Sequence, residues 1–345
     1  MTTRRLITRL AAPVLAAALL TGCVAGEGSE KAASDGAADS EWSDDELHID
    51  FATYNPLSLI IKEKGWLEEE LGDGVTVTWT QSAGSNKANE GLRAHAIDVG
   101  STAGSAALLA RANGSPIKTI LLYSQPEWSA LVAPAGSDID EVEDLRGKSV
   151  AATKGTDPYF FLLQALAEHG LTLDDIEVQN LQHADGKTAL EQGSVDAWSG
   201  LDPLMASSVK DTGAVLFYRN IDFNTYGFLN ATEEFLETNP DLAQAVVDAY
   251  ERARVWAAEN PEETIEILAE AAAIEPDLAE QVLVDRTVLD LDPVPGQVQT
   301  DLLTFVGTIF VESGDVPNQK VVDEALASLY DTSFADQATG ERAGG

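Results

Sequence analysis

Small residues at three places in this chain have the spacing of an oxyanion cradle. Ser82-Ala83-Gly84, Ser101-Thr102-Ala103 and Gly155-Thr156-Asp157 each stand where a strand-like run gives way to a helical pattern. A helix N-terminus presents unpaired backbone N–H groups and roughly half a positive charge, so it can hold a small oxyanion without a cation beside it. Slim side chains let that anion reach the backbone. The expectation is that backbone N–H groups, together with the hydroxyls of Ser82, Ser101, Thr102 and Thr156, take the anionic head. Lys154 could add a full charge or be a solvated strand-end lysine. Asp157 reads as the cap of its helix, with Pro158 at the first helical position. Tyr54, Trp128, Trp198 and Tyr226 fall near predicted strand ends or crossings, where their rings could hold an organic tail or pack core and hinge.

Other patterns carry no chemistry. Gly147-Lys148-Ser149 ends like a phosphate-binding loop, but Val142 stands where that loop needs its first glycine. Gly100 to Gly104 has the spacing of a nucleophile elbow with Thr102 at its centre, and no motif places a histidine to activate it. The four histidines, His48, His95, His169 and His183, have no metal-ligand spacing, so no metal and no cofactor is expected. His183 precedes a candidate ligand loop. Cys23 is the only cysteine, which excludes a disulfide framework.

The formal charge is −37. Such a surface repels nucleic acid and anionic lipid, and it repels anionic solutes at long range, so an anion site must work through local dipoles. The N-terminus sets the compartment. Arg4, Arg5 and Arg9 precede the apolar stretch Leu10 to Leu20, and Leu20-Thr21-Gly22-Cys23 follows. The apolar stretch is too short to span a bilayer and reads as a signal peptide over 1–22. A cysteine directly after it resembles a bacterial lipobox, which implies that Cys23 is lipidated and anchors the chain on the outer face of the cell membrane. Without the three leader arginines, 18 basic residues face 58 acidic ones, a net −40. Residues 23–46 are rich in Gly, Ala, Ser, Asp and Glu and read as anchor and flexible tether.

The remainder, about 300 residues, alternates strand and helix. Val75 to Thr80 (VTVTWT) is β-branched with period two, and Ile97–Gly100, Ser149–Thr153, Ile176–Asn180 and Ala214–Tyr218 are further strands. After Tyr226 the chain turns helical, with Asn239-Pro240 and Asn260-Pro261 as cap-and-proline starts. The expected fold is α/β, with two lobes of parallel sheet flanked by helices and two interlobe crossings near 129–134 and 224–231. Lobe 1 is expected at 47–133 plus 225–335, lobe 2 at 134–224, and a flexible tail at 336–345.

Five motifs in order carry a resemblance. Ile97-Asp98-Val99-Gly100-Ser101-Thr102, Asp144-Leu145-Arg146-Gly147-Lys148, Lys154-Gly155-Thr156, Gly193-Ser194-Val195-Asp196-Ala197-Trp198 and Asn260-Pro261-Glu262-Glu263 resemble the periplasmic binding proteins for aliphatic sulfonates, taurine and nitrate, across about 47–335. Gln182 to Gly186 through Asp202-Pro203 is most similar to the sulfonate branch. The resemblance implies a two-lobed, type II-like binding-protein fold that closes on a small organic anion and delivers it to an ABC transporter permease as a monomer. It implies ligand contacts at Tyr54, Asn55, Ser82 to Gly84, Ser101, Thr102, Gly155, Thr156, Asp157, Asp185, Trp198 and Asp202. Asp157, and Ser199-Gly200-Leu201, depart from the usual residues at those places and leave taurine, nitrate or a neutral heterocycle open. Relatives of the same fold that make the thiamine pyrimidine are the enzymatic alternative. They carry a cysteine-rich motif, which this chain lacks, and binding rather than catalysis is expected.

If Cys23 is the lipid acceptor, Cys23→Ala will leave the leader uncut or free the protein from membranes. Membrane fractionation checks this, and a mature, fully membrane-bound variant contradicts it.

Overall fold

A computed structural model of the chain describes residues 42–344, with side chains to Ala338. The leader, Cys23 and the tether to Glu41 lie outside the described residues. The strands are β1 (Glu46–Phe51), β2 (Thr76–Gln81), β3 (Val99–Ala103), β4 (Ile117–Pro126), β5 (Ser129–Ala133), β6 (Ser149–Ala152), β7 (Glu177–Asn180), β8 (Ala197–Leu201), β9 (Val215–Tyr218), β10 (Gly227–Thr232) and β11 (Thr287–Val288). They form a six-stranded sheet, β11-β4-β10-β3-β1-β2, and a five-stranded sheet, β7-β6-β8-β5-β9. β3, β5, β8 and β10 are buried along their whole length, as helices on both faces require.

The expected two-lobed α/β architecture is present, one sheet to each lobe. The sheets are mixed rather than purely parallel. β1 runs parallel to β2 and β3, and β6 parallel to β7 and β8. β10 is antiparallel to β3 and β4, and β5 to β8 and β9. The crossings cause this. A strand that arrives from the other lobe has no helical return behind it, so it enters at the cleft edge and runs away from it. β1 to β4 and β6 to β9 consequently all end at the cleft, where an α/β sheet offers its loops to a ligand.

The crossings lie at Glu127-Trp128, between β4 and β5, and at Arg219–Tyr226, between β9 and β10. The first comes earlier than 129–134 because Ser129–Ala133 already pairs with β8 and β9 in the second sheet. Arg219 clamps Glu127 in a bidentate pair at 2.9 and 2.6 Å, tying the two crossings together. Residues 336–344 continue helix Ser333–Gly344 instead of trailing free, since Ala335 and Ala338 dock into the core of the first lobe.

One edge of the cleft is closed by apolar packing. Helix Gln297–Glu312 joins Leu122 and Phe228 of the first lobe to Phe160 and Phe161 of the second in a single buried cluster, with Phe310 and Phe160 ring centres 4.6 Å apart. Gly227 sits where β10 meets the crossing, and the absence of a side chain there is what admits the Tyr123 ring. A Cβ on Gly227 would stand 2.3 Å from Tyr123 Cε2. Gly227→Ala is therefore expected to destabilise the protein by about 1–3 kcal/mol, as overpacking of a close-packed core does. Urea denaturation measures it, and an unchanged midpoint contradicts the packing argument.

Candidate functional site

Two helix starts face each other across the cleft. From the first lobe comes helix Ser85–Arg93, entered through Gly84, and from the second comes helix Asp157–Glu168, entered through Gly155-Thr156. A Cβ on Gly84 would stand 2.9 Å from His183 Nε2 and 2.9 Å from Asn86 Oδ1, and one on Gly155 would stand 3.7 Å from Asn86 Cβ. Gly155 also has a φ of +78°, which side-chain-bearing residues rarely adopt. Small residues are needed on both walls. The backbone N–H groups of Ser85 and Asn86, and of Thr156 and Asp157, have no acceptor among the described residues. The third expected helix start is already used: Gly104 N–H bonds Tyr226 O at 3.0 Å and Ser105 N–H bonds Thr225 Oγ1 at 3.2 Å.

Asp157 is not the cap of its helix. Thr156 is the N-cap residue, and Asp157 is the first helical residue, with Pro158 next. Backbone geometry frees its carboxylate to turn toward the hinge. Oδ1 accepts from Ser105 Oγ at 2.6 Å and Thr225 Oγ1 at 2.7 Å, and Oδ2 from Trp128 Nε1 at 2.7 Å and Thr225 N at 2.8 Å. Burial pushes this carboxyl above its usual range, and the four donors pull it back.

The remaining expected residues divide by location. Tyr54 and Trp128 meet edge to face at 5.9 Å, and Tyr54 Oη donates to Ser101 O at 3.0 Å. Asn55 caps helix Pro56–Lys64 through Ser58 N and donates to Tyr250 Oη at 2.9 Å. The hydroxyls expected to hold an anion are engaged within the protein. Ser101 donates to Asp50 Oδ1 at 2.9 Å, Thr102 to Ala103 O at 2.9 Å, and Thr156 to Thr153 O at 2.6 Å. Ser101 and Thr102 belong to strand β3 rather than to a loop, because β10 pairs with them from the other side. Ser82 is buried, its backbone N–H on Phe51 O. Asp185 is exposed in the first turn of helix His183–Glu191. Trp198 lies in the core of the second lobe among Ala151, Leu190 and Met205. Asp202 is committed to a buried ion pair with Arg286 at 2.6 Å, which joins the lobes and opposes the upward push of burial on its pKa. Tyr226 is half-buried at the crossing, and Lys154 lies 5.7 Å from the Tyr159 ring centre.

Sequence reasoning missed Asp50, Ser105, Thr225, Asn86 and Arg286. Asp50 sits inside the short strand HIDFA on the His48 face, opposite Leu47 and Ile49, so alternation marks it as exposed although it is fully buried. The others become neighbours only through the tertiary fold. A surface cavity lies between Trp66 and helix Pro240–Glu259. Its cations already have partners, Lys64 on Glu263 and Arg252 over the Trp66 ring at 4.2 Å, so the cleft is the better candidate. Among the described residues no group of three or more His, Cys, Asp or Glu side chains could hold a metal ion.

Two mixed sheets with two crossings, and strand ends and helix starts converging between them, define the two-lobed fold of the periplasmic binding proteins. The chain belongs to the NMT1/THI5-like family, whose model matches residues 57–264. It is 26% identical over 282 residues to an aliphatic sulfonates-binding protein of Escherichia coli (strain K12), covering 81% of this chain and 88% of the relative. A protein of the same description from Bacillus subtilis (strain 168) is 27% identical over 297 residues, covering 83% and 86%. Among solved structures, the alkanesulfonate-binding protein SsuA from Xanthomonas axonopodis pv. citri, bound to MOPS, superposes with a TM-score of 0.74 at 23% identity, over 82% of this chain and 98% of that one.

Asp50 supplies a test of the site's electrostatics. Its Oδ1 accepts from Ser101 N and Oγ, and burial pushes the carboxyl up to about 7 against the pull of the Ser82 and Ser101 hydrogen bonds. A folded pKa above the unfolded one means that the folded state binds more protons between about pH 4 and 7. Stability from this group is greatest below pH 4 and is lost as pH rises to 7, by an amount on the order of 4 kcal/mol. Asp50→Asn keeps an acceptor for Ser101 and is expected to flatten that decline, which urea denaturation at pH 4, 5.5 and 8 will show. Equal slopes in both proteins contradict it.

Proposed function

We propose that this protein is the extracytoplasmic solute-binding component of an ABC importer and that it captures an aliphatic sulfonate in the cleft between its lobes. The observation that carries the proposal is the convergence of helix starts Ser85–Arg93 and Asp157–Glu168 on one spot lined by Gly84 and Gly155. Unpaired N–H groups from both lobes can grip one oxyanion, so ligand binding and lobe closure become one event. Curated relatives over more than four-fifths of the chain are described as binders of aliphatic sulfonates. An organic tail would lie toward Tyr54 and Trp128, the aromatic pair at the hinge. Ligand contacts are proposed at Ser82, Gly84, Gly155 and Thr156, with Tyr54, Asn55, Ser101, Thr102, Asp157, Asp185, Trp198 and Asp202 supporting the walls through the bonds and positions described.

The role is binding rather than catalysis. The hydroxyls of Thr102 and Thr156 donate to backbone carbonyls, which take no proton, and the Ser101 hydroxyl, held on Asp50, is wholly buried in β3. No described helix is long and apolar enough to cross a membrane. We propose that the chain is held at the membrane through lipidated Cys23, works as a monomer, and hands its ligand to a permease.

Titration calorimetry over ethanesulfonate, taurine, nitrate and a thiamine-pyrimidine precursor tests the substrate class. Saturable binding of the alkanesulfonate, tighter than that of nitrate, is expected. Binding of the heterocycle alone, or of nitrate alone, overturns the sulfonate assignment.

A further inference from the structure

The side chain of His183 is almost wholly enclosed, at 2% exposure, yet its Nε2 has no hydrogen-bond partner. The neighbouring bonds fix its tautomer. Thr153 Oγ1 donates its single proton to Leu181 O at 2.7 Å, so its contact with His183 Nδ1 at 3.1 Å has the imidazole donating from Nδ1. Nε2 is therefore a bare lone pair. It points at the start of helix Ser85–Arg93, 2.9 Å from the place a Gly84 Cβ would take. Asn86 Oδ1 lies 2.9 Å from the same place and is also buried and unpartnered. Two acceptors thus lie together at the start of helix Ser85–Arg93.

A sulfonate brings only more acceptors, and it meets a lone pair at Nε2 that repels it. One proton on Nε2 reverses the interaction. The imidazolium donates to a sulfonate oxygen, and its charge offsets that of the buried anion.

We propose that His183 gains a proton as the sulfonate enters, so that the anion and one proton are captured together. The inference rests on the sulfonate-binding function proposed above. In the protein alone, burial holds the imidazole neutral down to about pH 3. Charged groups on the packed segments are directed elsewhere. Lys154 lies against Tyr159, Lys87 pairs with Glu90, Lys187 with Glu191 and Asp211, and Asp185 is exposed. The Asp157 carboxylate is held by its four donors at the hinge, so among the described residues no side-chain charge competes with the cleft anion for the proton. With ligand, the pKa of His183 rises. Between the two values affinity falls about tenfold for each unit of pH increase, and above the ligand-bound value it levels off.

Calorimetry of an alkanesulfonate at pH 5, in two buffers of different ionisation enthalpy, counts the protons. At that pH Asp50, which titrates at about 7, carries its proton before and after binding. An uptake of about one proton is expected for the full mature protein, and none for His183→Gln. Nitrogen-15 NMR of the unaltered protein gives an independent reading, with His183→Gln assigning its signal among the four histidines. The His183 Nε2 signal should move from the lone-pair to the protonated region on saturation. Sulfonate binding without proton uptake, with the Nε2 signal unmoved, overturns this inference and leaves the proposed function standing. Absence of alkanesulfonate binding at every pH overturns both.

Discussion

Four hydrogen bonds to the carboxylate of Asp157 hold the two lobes in register. The donors come from a helix of the first lobe (Ser105), the first crossing (Trp128) and the second crossing (Thr225, twice). A carboxylate taken out of water costs several kcal/mol unless its lone pairs are filled, and hydrogen bonds to a charged group contribute roughly 1.5–3 kcal/mol each. Any displacement that separates one donor exposes that deficit. Gly155 and Thr156 lie directly upstream of the latch, so fixing Asp157 fixes the second-lobe helix start that faces Gly84. The same constraint extends inward. Trp128 is held by Asp157 and packs on Tyr54, whose hydroxyl reaches the backbone of Ser101, beside Asp50.

This arrangement reconciles an anion site with a chain of charge −37. Surface carboxylates act at long range and are screened over about 8–10 Å at physiological salt. The buried ones matter more, and each is handled separately. Asp157 has its four donors, Asp202 has Arg286, Glu251 has Arg254, and burial pushes Asp50 up to about 7. An oxyanion at the proposed site would meet N–H groups over a few ångströms, where unscreened dipoles outweigh the distant negative surface. Lys154 contributes little to that balance, since its ammonium is drawn to the Tyr159 ring.

The alternation of strand and helix and most helix starts were legible in the sequence because they rest on local chemistry. Asn239-Pro240 and Asn260-Pro261 open helices as their types require, and VTVTWT forms β2 with a shift of one residue. Gly84 and Gly155 were legible for the same reason: a small residue before a helix is a local signal. Polar residues whose roles are set by distant partners were not. Thr102 reads as a loop hydroxyl, but Asn230, more than a hundred residues away, donates to it from β10. Trp198 reads as a cleft aromatic and is a core residue, because an alternating strand does not reveal which face meets the ligand. Asp157 shows the limit most clearly. The Asp-Pro pair announces a helix start correctly, but whether the carboxylate caps or turns outward depends on Trp128 and Thr225, which only the crossings bring near.

Interlobe bonding is strongly one-sided, and that asymmetry determines how the cleft can move. On the hinge edge stand the Asp157 latch, the Arg286–Asp202 ion pair and the apolar cluster around Phe160 and Phe310. On the cleft edge no hydrogen bond joins residues 84–87 to residues 153–156 or 182–186 among the described residues. Contact there consists of close packing between Gly84 and His183, with polar atoms left unpaired on either side. Breaking the hinge edge would strand a carboxylate and expose aromatic rings, whereas parting the cleft edge hydrates lone pairs that lack partners. Water therefore favours opening at the cleft edge, with the hinge edge as pivot. A ligand that fills the unpaired N–H groups of both walls removes that advantage of water, and closure follows from satisfying the same atoms that make the ligand-free cleft favour opening.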